Sequence, residues 1–243
     1  MKAIILAAGI GKRLRPLTDK IPKPLIKIKG EVSILERILG SLRENQIRDI
    51  VITTGPFEEK IKKLVKEKFP ELNVFYVHNP DYAQTNYIYS LWLVKDATQN
   101  TDIVLIHGDM VYDFKLMERI INENKSCVLV KESGDVPQKD FRARIENGLI
   151  TKIGVDVFGK ETRTCMPLYK LTESDYKEWL KEIEKFVKEN KLQFYAEDAF
   201  NQVSDKIKLH PLYYGNDICM EVDNFDDLEK ARELLKFSEQ KQD

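Results

Sequence analysis

The sequence predicts an α/β protein with a doubly wound, mostly parallel sheet that turns mixed in the second half of the chain. Three observations carry this. Residues 2–8, 49–54 and 102–107 are short apolar runs of the kind found in strands covered on both faces. Amphipathic helical stretches alternate with them through residue 125, which is the pattern of βαβ units. Past that point Asn147-Gly148 separates two strand-like stretches, a hairpin signal that breaks the parallel order.

Taken in order, residues 2–8 form a buried strand closed by Gly9, and a loop rich in glycine, arginine and proline follows. Ile34, Leu35, Ile38, Leu39 and Leu42 lie at helical spacing within 33–45. A strand at 49–54, a charged helix at 57–68, a strand at 74–77, a helix near 86–96 and a strand at 102–107 complete the first half. Beyond it the pattern predicts a helix over 114–124, a strand over 127–131 and the hairpin 142–145 with 149–155. Long charged helices are expected over 173–190 and 226–237, with 196–203 and a strand-like 207–214 between them. The last six residues read as a frayed tail.

At 243 residues, 42% hydrophobic and 33% charged, the chain fits one large globular domain rather than two, and its composition excludes a disordered chain. A net charge of −1 supplies no global footprint for nucleic acid or an anionic membrane, and neither is expected as a partner. No apolar run reaches the length of a membrane span, and the apolar start is too short for a signal peptide. Cys127, Cys165 and Cys219 are odd in number and lack C-x-x-C spacing, which fits a reducing cytoplasm and neither a disulfide framework nor structural zinc. A homo-oligomer is compatible with all of this.

The strongest chemical signal is Leu6-Ala7-Ala8-Gly9-Ile10-Gly11-Lys12-Arg13-Leu14-Arg15-Pro16-Leu17-Thr18, followed by Pro22-Lys23-Pro24. Small residues after a buried strand let the backbone approach a ligand and aim N–H groups at phosphate oxygens. Lys12, Arg13 and Lys23 add charge-assisted bonds to a polyphosphate. It is not a Walker loop, and Leu14 stands where a dinucleotide fingerprint needs its third glycine. Asp109 follows a hydrophobic strand, where one carboxylate suits a Mg²⁺ ion or, alternatively, a helix cap. Asp223, on its own, reads more readily as a cap.

This loop and its P-K-P resemble the signature of the sugar-phosphate nucleotidyltransferase superfamily, which has a Rossmann-like fold with a small acceptor-binding excursion. The resemblance implies that Leu6, Ala7, Ala8, Gly9, Gly11 and Lys12 cradle the triphosphate. It also implies that Arg13 holds the leaving pyrophosphate and that Lys23 contacts the reacting phosphates. A late aspartate closes the family's metal site, which favours Asp223 beside Asp109, with Asp217 a weaker alternative and Asp226 the likelier cap. One domain, 1–243, would then comprise a nucleotide-binding core (1–125), an acceptor-binding region (126–215) and a metal-site strand with the C-terminal helix (216–243).

The run Thr85-Asn-Tyr-Ile-Tyr-Ser-Leu91 resembles the N-N-hydrophobic-Y-S-L of the phosphocholine cytidylyltransferase branch, and no E-K-P triplet of the sugar enzymes follows the hairpin. Asn79, Thr85 and Asn86 carry groups that match a cytosine edge, or else they cap a helix. Tyr87 suits an ammonium through cation–π contact, and it is equally a core residue. Glu197 and Asp198 are the acceptor-ammonium candidates, and Arg142, with Arg144, is a candidate clamp for the acceptor's anionic group. His78, His107 and His210 have no metal-ligand spacing and read as structural. The expected reaction is Mg²⁺-assisted transfer from CTP to a small phosphorylated amine of the phosphocholine or 2-aminoethylphosphonate type. The alternatives are a sugar- or inositol-1-phosphate nucleotidyltransferase and a non-catalytic nucleotide-binding homologue.

Overall fold

In the computed structural model, which describes residues 1–133 and 140–239, strand β1 (Lys2–Ala7) lies at the centre of the sheet. A small hairpin of β2 (Lys27–Lys29) and β3 (Val32–Ser33) leads into helix α1 (Ile34–Glu44). Then come β4 (Asp49–Thr54), α2 (Glu58–Lys68), β5 (Asn73–His78), α3 (Tyr87–Leu93) and β6 (Ile103–His107). The second half contains β7 (Met110–Tyr112), α4 (Phe114–Ile121), β8 (Cys127–Lys131), β9 (Arg142–Glu146), β10 (Leu149–Gly154) and β11 (Thr162–Leu171). It closes with α5 (Glu173–Lys188), α6 (Ala196–Phe200), β12 (His210–Tyr214), β13 (Cys219–Glu221) and α7 (Phe225–Glu239).

Strands β6, β1, β4 and β5 run parallel. Their residues alternate between two cores as a period of two requires. Ala3, Ile5, Ile50, Ile52, Val104 and Ile106 pack on one face with α1, α4 and α7, while Ile4, Val51, Ile103 and Leu105 face the side covered by α3, α5 and α6. Both faces of β1, β4 and β6 are therefore dry, which explains why these three strands are continuous apolar runs, whereas β5 at the sheet edge stays partly exposed. The hairpin β9–β10 turns at Asn147 and Gly148 with φ values of 52° and 77°, the left-handed pair that a two-residue turn demands.

Three expectations need revision. No strand is expected over 162–171, yet β11 is the longest in the sheet and runs antiparallel to β6, β8 and β9. Pro167 hides it, and the structure accommodates the proline at a register shift between Met166 and Tyr169. The helix near 86–96 ends at Leu93 and passes into a 3-10 turn, Lys95–Thr98, and the strand expected from 207 starts at His210. Among the described residues no helix is long and apolar enough to cross a membrane.

Helix α1 begins with a reciprocal cap: Ser33 Oγ accepts from the Glu36 N–H at 3.3 Å and Glu36 Oε2 accepts from the Ser33 N–H at 2.8 Å. Burial would raise the Glu36 carboxyl, but hydrogen bonds from Lys68, Ser33 and Lys27 outweigh it and hold the pKa at about 2. A carboxyl depressed in the folded state stabilises above its unfolded value and loses that contribution as pH falls through the folded one. Glu36→Gln is expected to lower unfolding free energy at pH 7 by about 1–2 kcal/mol. In urea titrations the gap should narrow as pH falls from about 4.5 toward 2; an equal gap at pH 7 and pH 3 would refute the assignment.

Candidate active site

The carboxyl ends of β1, β4 and β6 open on one side of the sheet, where ligands of doubly wound folds bind. The chain leaves β1 and makes a 3-10 turn at Lys12–Leu14, entered through Gly11 at φ 71°. A Cβ on Gly11 would stand 2.9 Å from Thr18 Cγ2, and Thr18 Oγ1 donates to the Gly11 carbonyl at 2.8 Å. Glycine is thus required by both conformation and space. Among the described residues the N–H groups of Gly9, Ile10 and Gly11 have no acceptor, and nothing lies within 4 Å of a Cβ built on Gly9. The loop therefore offers donors and open volume, as an anion cradle must.

Lys23 begins a second 3-10 turn, Lys23–Leu25, and projects beneath the loop. Its ammonium lies 2.5 Å from Asp109 Oδ2 and 3.0 Å from Asp223 Oδ1, and Arg13 Nη2 meets the same Asp223 oxygen at 2.9 Å. Burial opposes the Lys23 ammonium, but the two carboxylates outweigh it and hold its pKa above the ordinary lysine value. Asp109 responds in kind: burial would raise it, and Lys23, then His107, bring it below the usual aspartate range. Lys12 stands exposed at the rim of the cleft.

Two short strands deliver the acids. β13 pairs with β7, placing Glu221 opposite Met110, and the Val222 N–H donates to the Asp109 carbonyl at 3.0 Å. Two-residue spacing puts His107 with Asp109 and Glu221 with Asp223 on matching faces, so all four line one cleft of ≈ 440 Å³. His107 Nδ1 lies 3.3 Å from Glu221 Oε1. Burial opposes the imidazolium, but Glu221 overrides it and raises the His107 pKa, while burial raises that of Glu221 itself. Ligand atoms of His107, Asp109 and Glu221 lie within 4.8 Å of one another. Asp109 Oδ1 and His107 Nε2 are buried without a protein partner, a condition that points to a ligand at this spot.

One end of the cleft is aromatic. Tyr87, Phe141 and Tyr195 surround it, with ring centroids 5.8 Å apart for Tyr87–Tyr195 and 5.0 Å for Phe141–Tyr195, and Val155 closes one side. A smaller cavity of ≈ 190 Å³ lies beside the glycine loop, lined by Leu6, Ala8, Thr53, Asn79, Tyr82, Ser90 and their neighbours.

Several expected site residues have other occupations. Leu6 and Ala7 form the floor and are bonded internally, with the Leu6 carbonyl accepting from Gly108 N–H at 2.9 Å and the Ala7 N–H donating to Thr53 Oγ1 at 3.1 Å. Asn79 is 1% exposed and gives both amide hydrogens to Thr85 and Ser90. Asn86 caps α3 and donates to the Gln193 carbonyl at 3.3 Å. Glu197 is buried behind the pocket, where its carboxylate accepts from the hydroxyls of Tyr87 and Tyr169. Asp198 faces away and caps α6 by accepting the Tyr195 N–H at 2.8 Å. Arg142 is buried, donates to the Val155 carbonyl and stacks on Phe158 at 4.7 Å, so it anchors the loop beside the cleft. Arg144 reaches the Phe158 carbonyl at 3.5 Å. Asp217 pairs with Lys115 at 2.6 Å outside the cleft. Helix α7 is capped by Asn224, which accepts from Asp227, rather than by Asp226.

Four cleft residues escape a reading by motif: His107, Glu221, Phe141 and Tyr195. The H-x-D and E-x-D pairs carry a legible period-two signal, whereas the two rings meet only through the tertiary fold.

A parallel sheet whose strand ends carry a glycine loop with free N–H groups over a lysine-bridged pair of aspartates places the chain among α/β proteins of the nucleotidyl transferase class. The chain belongs to the nucleotidyl transferase family, which it matches over residues 2–135. It is 42% identical over 104 residues to choline-phosphate cytidylyltransferase of Streptococcus pneumoniae, a match covering 43% of this chain and 43% of that relative's length. Against choline-phosphate cytidylyltransferase of Haemophilus influenzae the identity is 25% over 244 residues, covering 99% of this chain and 100% of the other. The solved structure of CTP:phosphocholine cytidylyltransferase from Streptococcus pneumoniae shares the fold at a TM-score of 0.80 and 24% identity, over 96% of this chain and 98% of that one.

Gly108 lets β6 and β1 converge at the site, since a Cβ there would lie 2.7 Å from the Leu6 carbonyl oxygen. Gly108→Ala is expected to lower stability by about 1–3 kcal/mol in denaturant titration. An unchanged midpoint would show that this approach is not tight.

Proposed function

We propose that the protein is a cytidylyltransferase that joins CTP and a small phosphorylated amine, of the phosphocholine or 2-aminoethylphosphonate type, into a CDP-activated product and pyrophosphate. The observation that carries this reading is the Lys23 bridge between Asp109 and Asp223 beneath unpartnered loop N–H groups. Phosphoryl-type transfer asks a protein chiefly for positioning and charge neutralisation, and this cluster supplies both without a nucleophilic side chain.

In the proposed reaction an acceptor phosphate or phosphonate oxygen forms a bond to the α-phosphorus of CTP. The bond from that phosphorus to the β-phosphate bridging oxygen breaks, and pyrophosphate leaves with the electron pair. The N–H groups of Gly9 and Gly11, with Lys12, hold the β- and γ-phosphates. Arg13 stabilises the departing charge, and Lys23 stabilises charge on the transferred group. Asp109, with its unpartnered buried Oδ1, and Asp223 fit a hard divalent cation. Mg²⁺ held there would neutralise phosphate charge during transfer. The acceptor's ammonium fits among Tyr87, Phe141 and Tyr195, near the Glu221 carboxylate, through cation–π and ionic attraction. Glu197 supports this pocket by holding the Tyr87 hydroxyl. The three free thiols suit a cytoplasmic location.

Pyrophosphate release measured for CTP, UTP, dTTP, ATP and GTP against phosphocholine, 2-aminoethylphosphonate, glucose-1-phosphate and inositol-1-phosphate tests the reading. Turnover is expected with CTP and an amine acceptor; turnover confined to a sugar or inositol phosphate would overturn the acceptor assignment. Chelation should stop the reaction and Mg²⁺ restore it. Asp109→Asn, which keeps an oxygen for Lys23, is expected to retain the wild-type circular dichroism spectrum and lose at least about 100-fold in kcat. A near wild-type rate in that variant would remove Asp109 from the metal site.

A further inference from the structure

The small cavity beside the glycine loop contains a polar relay whose direction can be read from the backbone. The Asp81 N–H can only donate, so the atom of Asn79 that faces it at 2.9 Å is the carbonyl oxygen. The amide nitrogen therefore points the opposite way, donating to Thr85 Oγ1 at 3.1 Å and to Ser90 Oγ at 3.0 Å. Thr85 passes its own proton to the Asp81 carbonyl at 2.9 Å and is satisfied. Ser90 is not: it receives the Asn79 N–H, and among the described residues its proton has no acceptor, although the residue is only 2% exposed and lines the cavity. A buried donor without a partner is unfavourable unless a ligand supplies the acceptor.

We infer that Ser90 reads the nucleotide base as a hydrogen-bond donor, with Asn79 as the positioning residue that fixes this polarity, and that the pair selects cytosine over uracil. The inference rests on the CTP reading above. The two pyrimidines differ at N3, which is an acceptor in cytosine and carries hydrogen in uracil. A free hydroxyl would serve either ring by rotating. Here Asn79 already occupies one lone pair, so turning the other toward a uracil N3–H leaves the Ser90 proton buried without an acceptor. A site built to match one hydrogen-bonding pattern rejects the ring that leaves its own groups unpaired.

The test is kcat/KM for CTP and for UTP at saturating acceptor, together with calorimetric binding of CMP and UMP to the whole protein. In Ser90→Ala the CTP value is expected to fall by about tenfold or more, with the UTP value and the acceptor KM little changed, so that discrimination collapses. In Asn79→Asp the carboxylate would accept the Ser90 proton and reverse the relay, moving the CMP:UMP binding ratio toward UMP. Should Asn79→Asp fail to fold, Ser90→Ala decides alone. If the wild type prefers CTP and Ser90→Ala keeps the full CTP:UTP ratio, this inference is overturned and the cytidylyltransferase reading stands. If the wild type does not prefer CTP, both are overturned.

Discussion

The Lys23 ammonium, held between Asp109 and Asp223, is the interaction on which the site's architecture depends. It joins a turn near the start of the chain to residues 86 and 200 positions away, so one turn and two strand ends meet at one nitrogen. Every one of these groups is partly or wholly withdrawn from water, where an isolated charge is strongly unfavourable. Placed together, the ammonium and the Arg13 guanidinium offset the two carboxylates. Glu221 and His107 form a second, adjacent pair in which both pKa values are raised, that of His107 by Glu221 against burial and that of Glu221 by burial. The cluster is held by reciprocity rather than by any single strong bond.

The scaffold makes such convergence feasible. Parallel strands buried on both faces fix β1, β4 and β6 in register, so their carboxyl ends reach the same level. Gly108 and Gly11 remove the side chains that would keep the loop, the Pro22–Pro24 turn and the β6 terminus apart. The antiparallel β11 then carries the sheet into the region that bears Phe141 and Val155, and the aromatic end of the cleft lies beside the glycine loop.

Much of the parallel half was legible in the sequence because burial on both faces writes itself as continuous hydrophobicity, and because the Asn147-Gly148 turn admits few conformations. The loop residues and Asp109 were legible for the same local reason: each sits where a strand ends. Strand β11 was not, since Pro167 and the polar residues around it resemble a loop until the register shift is known. Asn79, Thr85 and Asn86 are the right chemical types for reading a base. Only the tertiary structure reveals that Asn79 bonds Thr85 and Ser90, that Asn86 caps α3 instead, and that buried Ser90 is the unpaired end of the relay. Glu197 and Asp198 are neighbours in sequence and diverge on a helix, one turning inward to two tyrosines and the other capping the helix. No pattern of residue types separates those fates.

The lysine bridge also bears on how the fold balances its charge. In small metal-dependent domains the ligand-bearing acids repel one another until an ion arrives, and the apo chain stays unfolded. Here the chain supplies its own cation to the carboxylates, so the architecture closes around an internal counter-charge. The charge balance of the buried cluster is thereby written into the chain itself, through two side chains of one loop.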